Sequence, residues 1–246
     1  MADQTPIPAA TLIVMREAAA GPPELLMVER ARTMAFAGGA LVFPGGRVDP
    51  GDRVVTATLA GGTEELAARV GAIRETLEEA GIAVGLRVPD ATAVRAALPG
   101  GAALAELVTR AGGAFDLDAL VPFARWLPDK VPHRIFDTRF YLARAPHGAT
   151  PAVDGTENVR AFWATASDVL GLADAGEATL IFPTRRNLER LAMFASFEEA
   201  AAHARAHPVR IITPWIEVRD GVEHLCIPAD AGYPVTAERL DRAVRA

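Results

Sequence analysis

One cysteine, one lysine and two serines in a chain of 246 residues remove several chemistries at the outset. A lone Cys226 allows neither an internal disulfide nor a cysteine zinc cluster, and it fits a reducing, cytoplasmic setting. Lys130 is followed by Val131, so a G-x-x-x-x-G-K-[ST] phosphate loop is absent. Neither Ser167 nor Ser196 has the G-x-S-x-G surroundings of a serine-hydrolase elbow. The histidines His133, His147, His203, His207 and His224 form no H-E-x-x-H pair, and no G-x-G-x-x-G dinucleotide fingerprint occurs. No apolar run approaches the ~18–20 residues that cross a bilayer. No basic n-region precedes an apolar stretch after Met1-Ala2-Asp3-Gln4, so no membrane partner and no secretory leader are expected.

What is present argues for a folded single domain over residues 1–246. Half the residues are hydrophobic and 23% are charged, too apolar for a disordered chain. Twenty-five basic against 31 acidic residues leave a net charge of −6, which disfavours binding to nucleic acid. Monomer and homodimer are both compatible with this composition.

Along the chain, Thr11–Met15 and Leu25–Val28 read as strands joined across Gly21-Pro22-Pro23 into a hairpin. Ala40–Phe43 reads as a short strand halted by Pro44-Gly45-Gly46, and Asp49-Pro50-Gly51-Asp52 as a turn. Thr63 to Ala80 is the strongest helix, with Thr63 as N-cap and Gly81 as its stop. Ile82–Val84 reads as a resumed strand. Residues 88–118 are expected to hold a helical insert, interrupted at Pro99-Gly100-Gly101. Phe140–Ala143 and Val159–Trp163 read as strands, and 166–207 as a helical C-terminal extension punctuated at Phe182-Pro183-Thr184. The Ile211-Ile212 region and the residues after it show no clear pattern. Strands mixed with one strong helix and a helical tail point to an α+β fold or α/β/α layers.

Helical geometry separates the faces of the 63–80 helix. At 100° per residue, Leu66, Val70, Ile73, Leu77 and Ala80 fall on one side. Glu75, Glu78 and Glu79 fall opposite, within an arc of about 100°. That spacing predicts a core face and a carboxylate face, with Glu79 outside the packing. Three carboxylates within one turn repel one another, by about 0.2–0.5 kcal/mol per pair. They also lie at the C-terminal end, where the helix dipole disfavours anions. Arg74 offsets part of this through Glu78 at i+4. A hard divalent cation, Mg²⁺ or Mn²⁺, would reverse the sign of the cluster.

These residues carry a family resemblance. Arg74-Glu75-Thr76-Leu77-Glu78-Glu79-Ala80-Gly81-Ile82 matches the second half of the Nudix hydrolase box, G-x5-E-x7-R-E-U-x-E-E-x-G-U. Gly45-Gly46-Arg47-Val48-Asp49-Pro50-Gly51-Asp52 resembles the first half. Asp52 stands where the box has Glu, Thr76 occupies an aliphatic position, and residues 53–73 replace a seven-residue spacer, with an insertion placed at 53–62. This long spacer resembles a branch of the family that includes peroxisomal coenzyme A diphosphatases. Trp126 followed by Arg134-Ile135-Phe136-Asp137-Thr138-Arg139-Phe140-Tyr141 is similar to a segment of that branch. Leu25-Leu26, Arg30 and Gly39–Gly46 partly match its coenzyme A motif, with Ala35 in the place of an arginine and Arg32 nearby.

The resemblance implies a Nudix-type sandwich and metal-assisted hydrolysis of a nucleoside diphosphate linked to another moiety, coenzyme A or an acyl-coenzyme A first. Nucleotide sugars, dinucleoside polyphosphates and a non-catalytic sensor are the other readings. It implies that Glu75, Glu78 and Glu79 are the metal and base set, that the Gly45 carbonyl is a further ligand, and that Arg74 orients the carboxylates. Glu157 is the candidate for an additional loop acid, and Asp137 a weaker one. Arg30, Arg32 and Arg134 are candidate phosphate grips and Phe36 a candidate stacking residue. Trp126 and Trp163 are assigned to core packing. Asp52 is expected to finish its turn and not to act as an essential ligand.

Overall fold

The computed structural model describes residues 5–34, 37–54, 64–129, 134–153, 155 and 157–243. Phe36, Thr63 and residues 55–62 of the expected insertion lie outside these.

The centre is a mixed sheet built on three apolar strands, β1 (Ile7–Arg16), β2 (Glu24–Arg30) and β8 (Phe136–Arg144). Side chains alternate across a strand, so a strand buried on both sides must be apolar throughout. Ile13, Met15, Leu25, Met27, Phe140 and Leu142 enter one core, and Leu12, Val14, Leu26, Val28, Tyr141 and Ala143 enter the other. β1 and β8 run parallel in register from Ile7↔Phe136 to Met15↔Arg144. β1 pairs with β2 at Met15↔Leu25, closing the expected hairpin. Its other half receives the short β4 (Gly45–Arg47) at Ala9–Thr11. β3 (Leu41–Val42) and β9 (Asn158–Thr165) flank β2 from opposite sides, and β7 (Val121–Trp126) and β10 (Ile211–Ile212) continue beyond β8.

Helices cover both faces, giving the α+β sandwich expected from the sequence. One face packs α1 (Glu64–Ala80), through Ala68, Ala72, Ile73 and Leu77, together with α2 (Ala91–Ala97) and α3 (Leu104–Arg110). These two short helices occupy the expected insert, and a 3₁₀ turn at Leu98–Gly100 separates them. β5 (Leu86–Arg87) and β6 (Ala114–Phe115) pair at its base. The other face packs α4 (Ala166–Asp174), α5 (Phe182–Leu191) and α6 (Phe197–Ala206). Pro183 does not interrupt a helix. It lies in the first turn of α5, where its missing N–H costs nothing.

One expectation fails. Ile82–Val84 is not a strand: Gly81 and Gly85 both take left-handed conformations (φ 69° and 66°), and the buried stretch between them is too short to pair. The patternless C-terminal region forms a three-stranded antiparallel sheet of β11 (Trp215–Arg219), β12 (Val222–Cys226) and β13 (Ala237–Arg239), followed by α7 (Leu240–Ala243). All five residues of β11 are exposed, so burial imposes no alternation on that strand.

Candidate active site

The carboxylate face of α1 is not a solvent face. β4 and the 3₁₀ turn Pro50–Arg53 lie over it, and Arg74, Thr76 and Glu79 are buried. Glu79 is 7% exposed, which corrects the expectation that it lies outside the packing. Helical periodicity identifies the face turned from the sheet, but it cannot say whether another segment covers that face. Thr76, fully buried at its unusual box position, satisfies its hydroxyl by donating to the Ala72 carbonyl at 2.7 Å.

The glycine pair permits the close approach. A Cβ on Gly46 would lie 2.4 Å from a Glu75 carboxylate oxygen, and one on Gly45 would lie 2.6 Å from the Ala10 carbonyl oxygen. The Gly45 N–H donates to Glu79 Oε2 at 2.9 Å. Glu79 also accepts from the side-chain amide of Asn158 and lies 3.8 Å from Arg30 Nη1. Asn158 and Arg30 are register partners at the end of β9 and β2, where an irregularity after Glu29 shifts the pairing. Asn158 is 1% exposed, and its Oδ1, like Arg30 Nε, has no hydrogen-bond partner among the described residues.

Arg74 is held by four groups. Its Nε and Nη2 donate to Asp52 at 2.9 and 3.1 Å, Nη2 donates to the Arg47 carbonyl, and Nη1 reaches Glu75 and Glu78 at 2.9 and 2.8 Å. Asp52 is 1% exposed and also accepts from the Asp49 N–H at 2.8 Å. It therefore does more than finish a turn: it anchors the arginine between the two glutamates. Gly71 on α1 leaves room for that carboxylate, since a Cβ there would come within 3.0 Å of it.

The electrostatic balance is short of positive charge. Burial, opposed by Arg74 and reinforced by Glu79 and Glu78, raises the Glu75 pKa to about 8. Burial also raises Glu78 and Glu79 above the usual carboxylate range. Among the described residues, no three carboxylate, imidazole or thiolate groups converge as a ready metal cage. Glu75 and Glu78 turn to Arg74, while Glu79 turns to Gly45 and Asn158. An oxygen-rich, under-neutralised donor set of this kind fits a hard divalent cation.

These groups line one cleft of about 870 Å³. Arg30, Gly45, Glu157 and Arg134 also line it, the last two exposed. Arg32 is exposed and is not among the lining residues, and Asp137 is taken by Arg125 in a two-pronged pair at 2.7 and 2.6 Å. Trp163 packs against the α1-side core. Trp126 is buried in the opposite core and also lines the cleft. Three contributors escaped the sequence reading. Asn158 had a signal only in its place beside Glu157, and Asp52 was read only for its turn. Arg95, from the insert, lines the cleft and donates to the Glu78 carbonyl at 2.7 and 3.2 Å, placing a cation at the C-terminal end of α1.

No family model matches the chain. Among solved structures, a NUDIX hydrolase from Alicyclobacillus acidocaldarius is 33% identical over 82% of this chain and 97% of its own, with a TM-score of 0.73. More distant likenesses are the MutT protein from Methanosarcina mazei Go1 (15% identity, 78% and 97% covered, TM-score 0.45) and a C. elegans Ap4A hydrolase binary complex (20%, 68% and 86%, 0.39).

Proposed function

This chain belongs to the Nudix hydrolase family, and from that premise we propose that it cleaves the diphosphate of coenzyme A or an acyl-coenzyme A, assisted by Mg²⁺ or Mn²⁺. One observation carries the reading: Glu75, Glu78 and the buried Glu79 share a single cleft with Arg30, Arg47, Arg95 and Arg134. A wall of carboxylates faced by arginines suits a diphosphate approached through a cation. The coenzyme A assignment is supported by position. The 25–46 stretch sends Arg30, Met34, Phe43, Gly45 and Gly46 to the cleft, and the 134–141 segment sends Arg134, Phe136, Thr138 and Phe140.

In this reading Glu75, Glu78, Glu79 and the Gly45 carbonyl hold the cation. When bound, it neutralises the diphosphate and acidifies water. Arg74, fixed by Asp52, holds Glu75 and Glu78 in place. Asn158 and the Gly45 N–H hold Glu79. Arg30 and Arg134 take the phosphate oxygens. Water attacks one phosphorus, the bridging P–O bond breaks, and the water proton passes to a carboxylate of this set, with Glu157 as the additional acid.

The test is a panel of diphosphates with Mg²⁺ and with Mn²⁺, products identified by mass. Expected are 3′-phosphoadenosine 5′-phosphate and a 4′-phosphopantetheine product. A kcat/KM for nucleoside diphosphate sugars or dinucleoside polyphosphates far above that for every coenzyme A ester overturns the substrate assignment.

A further inference from the structure

The three-stranded C-terminal sheet ends on an open edge. Its order is β11-β12-β13, so β11 pairs on one side, and among the described residues no backbone group bonds its other side. Native sheets blunt such edges with proline, lysine, a bulge or a very short strand. β11 has none of these: Trp215-Ile216-Glu217-Val218-Arg219 pairs with β12 in unbroken register. Ile216 and Val218 are 55% and 65% exposed, on the face they share with Leu225. We propose that β11 is a dimer interface, pairing antiparallel with β11 of a second copy of this chain so that the two sheets become one.

The register follows from the backbone. Asp220 and Gly221 are both left-handed (φ 51° and 77°), the form of a two-residue hairpin turn closed by the hydrogen-bonded pair Arg219↔Val222. Alternate residues of an antiparallel strand bond on alternate sides. Trp215, Glu217 and Arg219 therefore turn their backbone groups to β12, while Ile216 and Val218 turn theirs to the open edge. A two-fold axis beside Glu217 sets Ile216 opposite the second copy's Val218, which satisfies the outward N–H and C=O groups of both. The side chains complement one another about the same axis. On one face Ile216, Val218 and Leu225 join their copies in a continuous apolar patch. On the other, Trp215 meets the second copy's Arg219, a cation over an aromatic ring. Glu217 meets its own copy, but each carboxylate is held by its own Arg219 at 3.0 Å. The two acids thus lie among two guanidiniums in a cluster of no net charge. A strand of one charge sign from another protein leaves that cluster unbalanced, so the second copy is the fitting occupant.

The test is analytical ultracentrifugation of the full chain from about 1 to about 200 µM, a range suited to a small interface. The proteins are wild type, Val218→Lys, Glu217→Arg, Arg219→Glu, and an equal mixture of the last two. Wild type should pass from monomer to dimer with rising concentration. Val218→Lys should stay monomeric, because it drives a charge into the apolar patch. Glu217→Arg makes positions 217 and 219 wholly basic and Arg219→Glu makes them wholly acidic, so each alone should stay monomeric. Their mixture should dimerise, because opposite charges then face each other across the axis. A monomeric wild type at every concentration overturns the proposal. So does a wild-type dimer that Val218→Lys leaves intact, or a mixture that stays monomeric where wild type associates. Association gained on mixing needs both variants folded, so misfolding cannot imitate it. If a charged variant melts below wild type by circular dichroism, Val218→Thr replaces it and must weaken the dimer at least about fivefold. The measurement uses no substrate, so it is independent of the diphosphate assignment.

Discussion

The Gly45 N–H and the Glu79 carboxylate meet at 2.9 Å across 34 positions of sequence. The bond ties the glycine loop to the helix that carries the carboxylates. It also explains how an acidic side chain can be buried there: Gly45, Asn158 and Arg30 give the carboxylate partial compensation, while burial still holds its pKa above the ordinary range.

The two glycines should respond differently to a methyl group. At Gly46 the obstruction is the end of a flexible Glu75 side chain, which can swing aside. Gly46→Ala should therefore fold with a loss under about 1 kcal/mol, yet lose at least tenfold in activity, because Glu75 is displaced. At Gly45 the obstruction is the backbone of Ala10 and Thr11. Gly45→Ala should cost about 1–3 kcal/mol in urea unfolding. Equal stability losses in the two variants would contradict these contacts.

Asp52→Asn removes the charge that anchors Arg74. Both groups are buried, so a loss of about 2–4 kcal/mol is expected in urea unfolding. The kcat of the folded fraction should fall by less than a thousandfold, because Asp52 is not among the cleft-lining residues. A larger fall with stability intact would make Asp52 a direct participant.

His203 makes stability depend on pH away from the cleft. Burial, then Arg190, then His207 lower its pKa from 6.5 to about 4. The neutral ring is the form compatible with the fold, so its contribution is complete above pH 6.5 and is lost as pH falls from 6.5 towards 4. His203→Phe, packed against Phe194, should flatten the change in urea midpoint between pH 7 and 5 relative to wild type. Carboxylates contribute equally to both proteins in this comparison. Parallel midpoint curves would show that the ring charges freely in the fold.

The parts legible in the sequence are those governed by local periodicity. Leu12–Met15 and Leu25–Val28 are apolar at every position because both faces of their strands are buried. The α1 stripe follows Val70, Ile73 and Leu77. The carboxylate triplet proposed to carry the chemistry falls within one turn of helix. The parts that were not legible depend on distant segments. Asp52 meets Arg74 across 22 positions of sequence, a pairing that no local pattern shows. Glu79 reads as solvent-facing until β4 covers it. Asn158 gains a role only from its register with Arg30. β11, exposed throughout, has no burial pattern to read.

The most direct measurement is Glu79→Gln, followed by thermal midpoint without metal and by kcat with Mg²⁺ on the best substrate. Glutamine keeps the size and an acceptor for the Gly45 N–H, and it removes a charge that its buried setting disfavours. The metal-free midpoint should stay within about 2 °C of wild type or rise, while kcat falls about 100-fold or more. A lowered metal-free midpoint together with a kcat near wild type would make Glu79 a structural carboxylate and contradict its place in the catalytic wall.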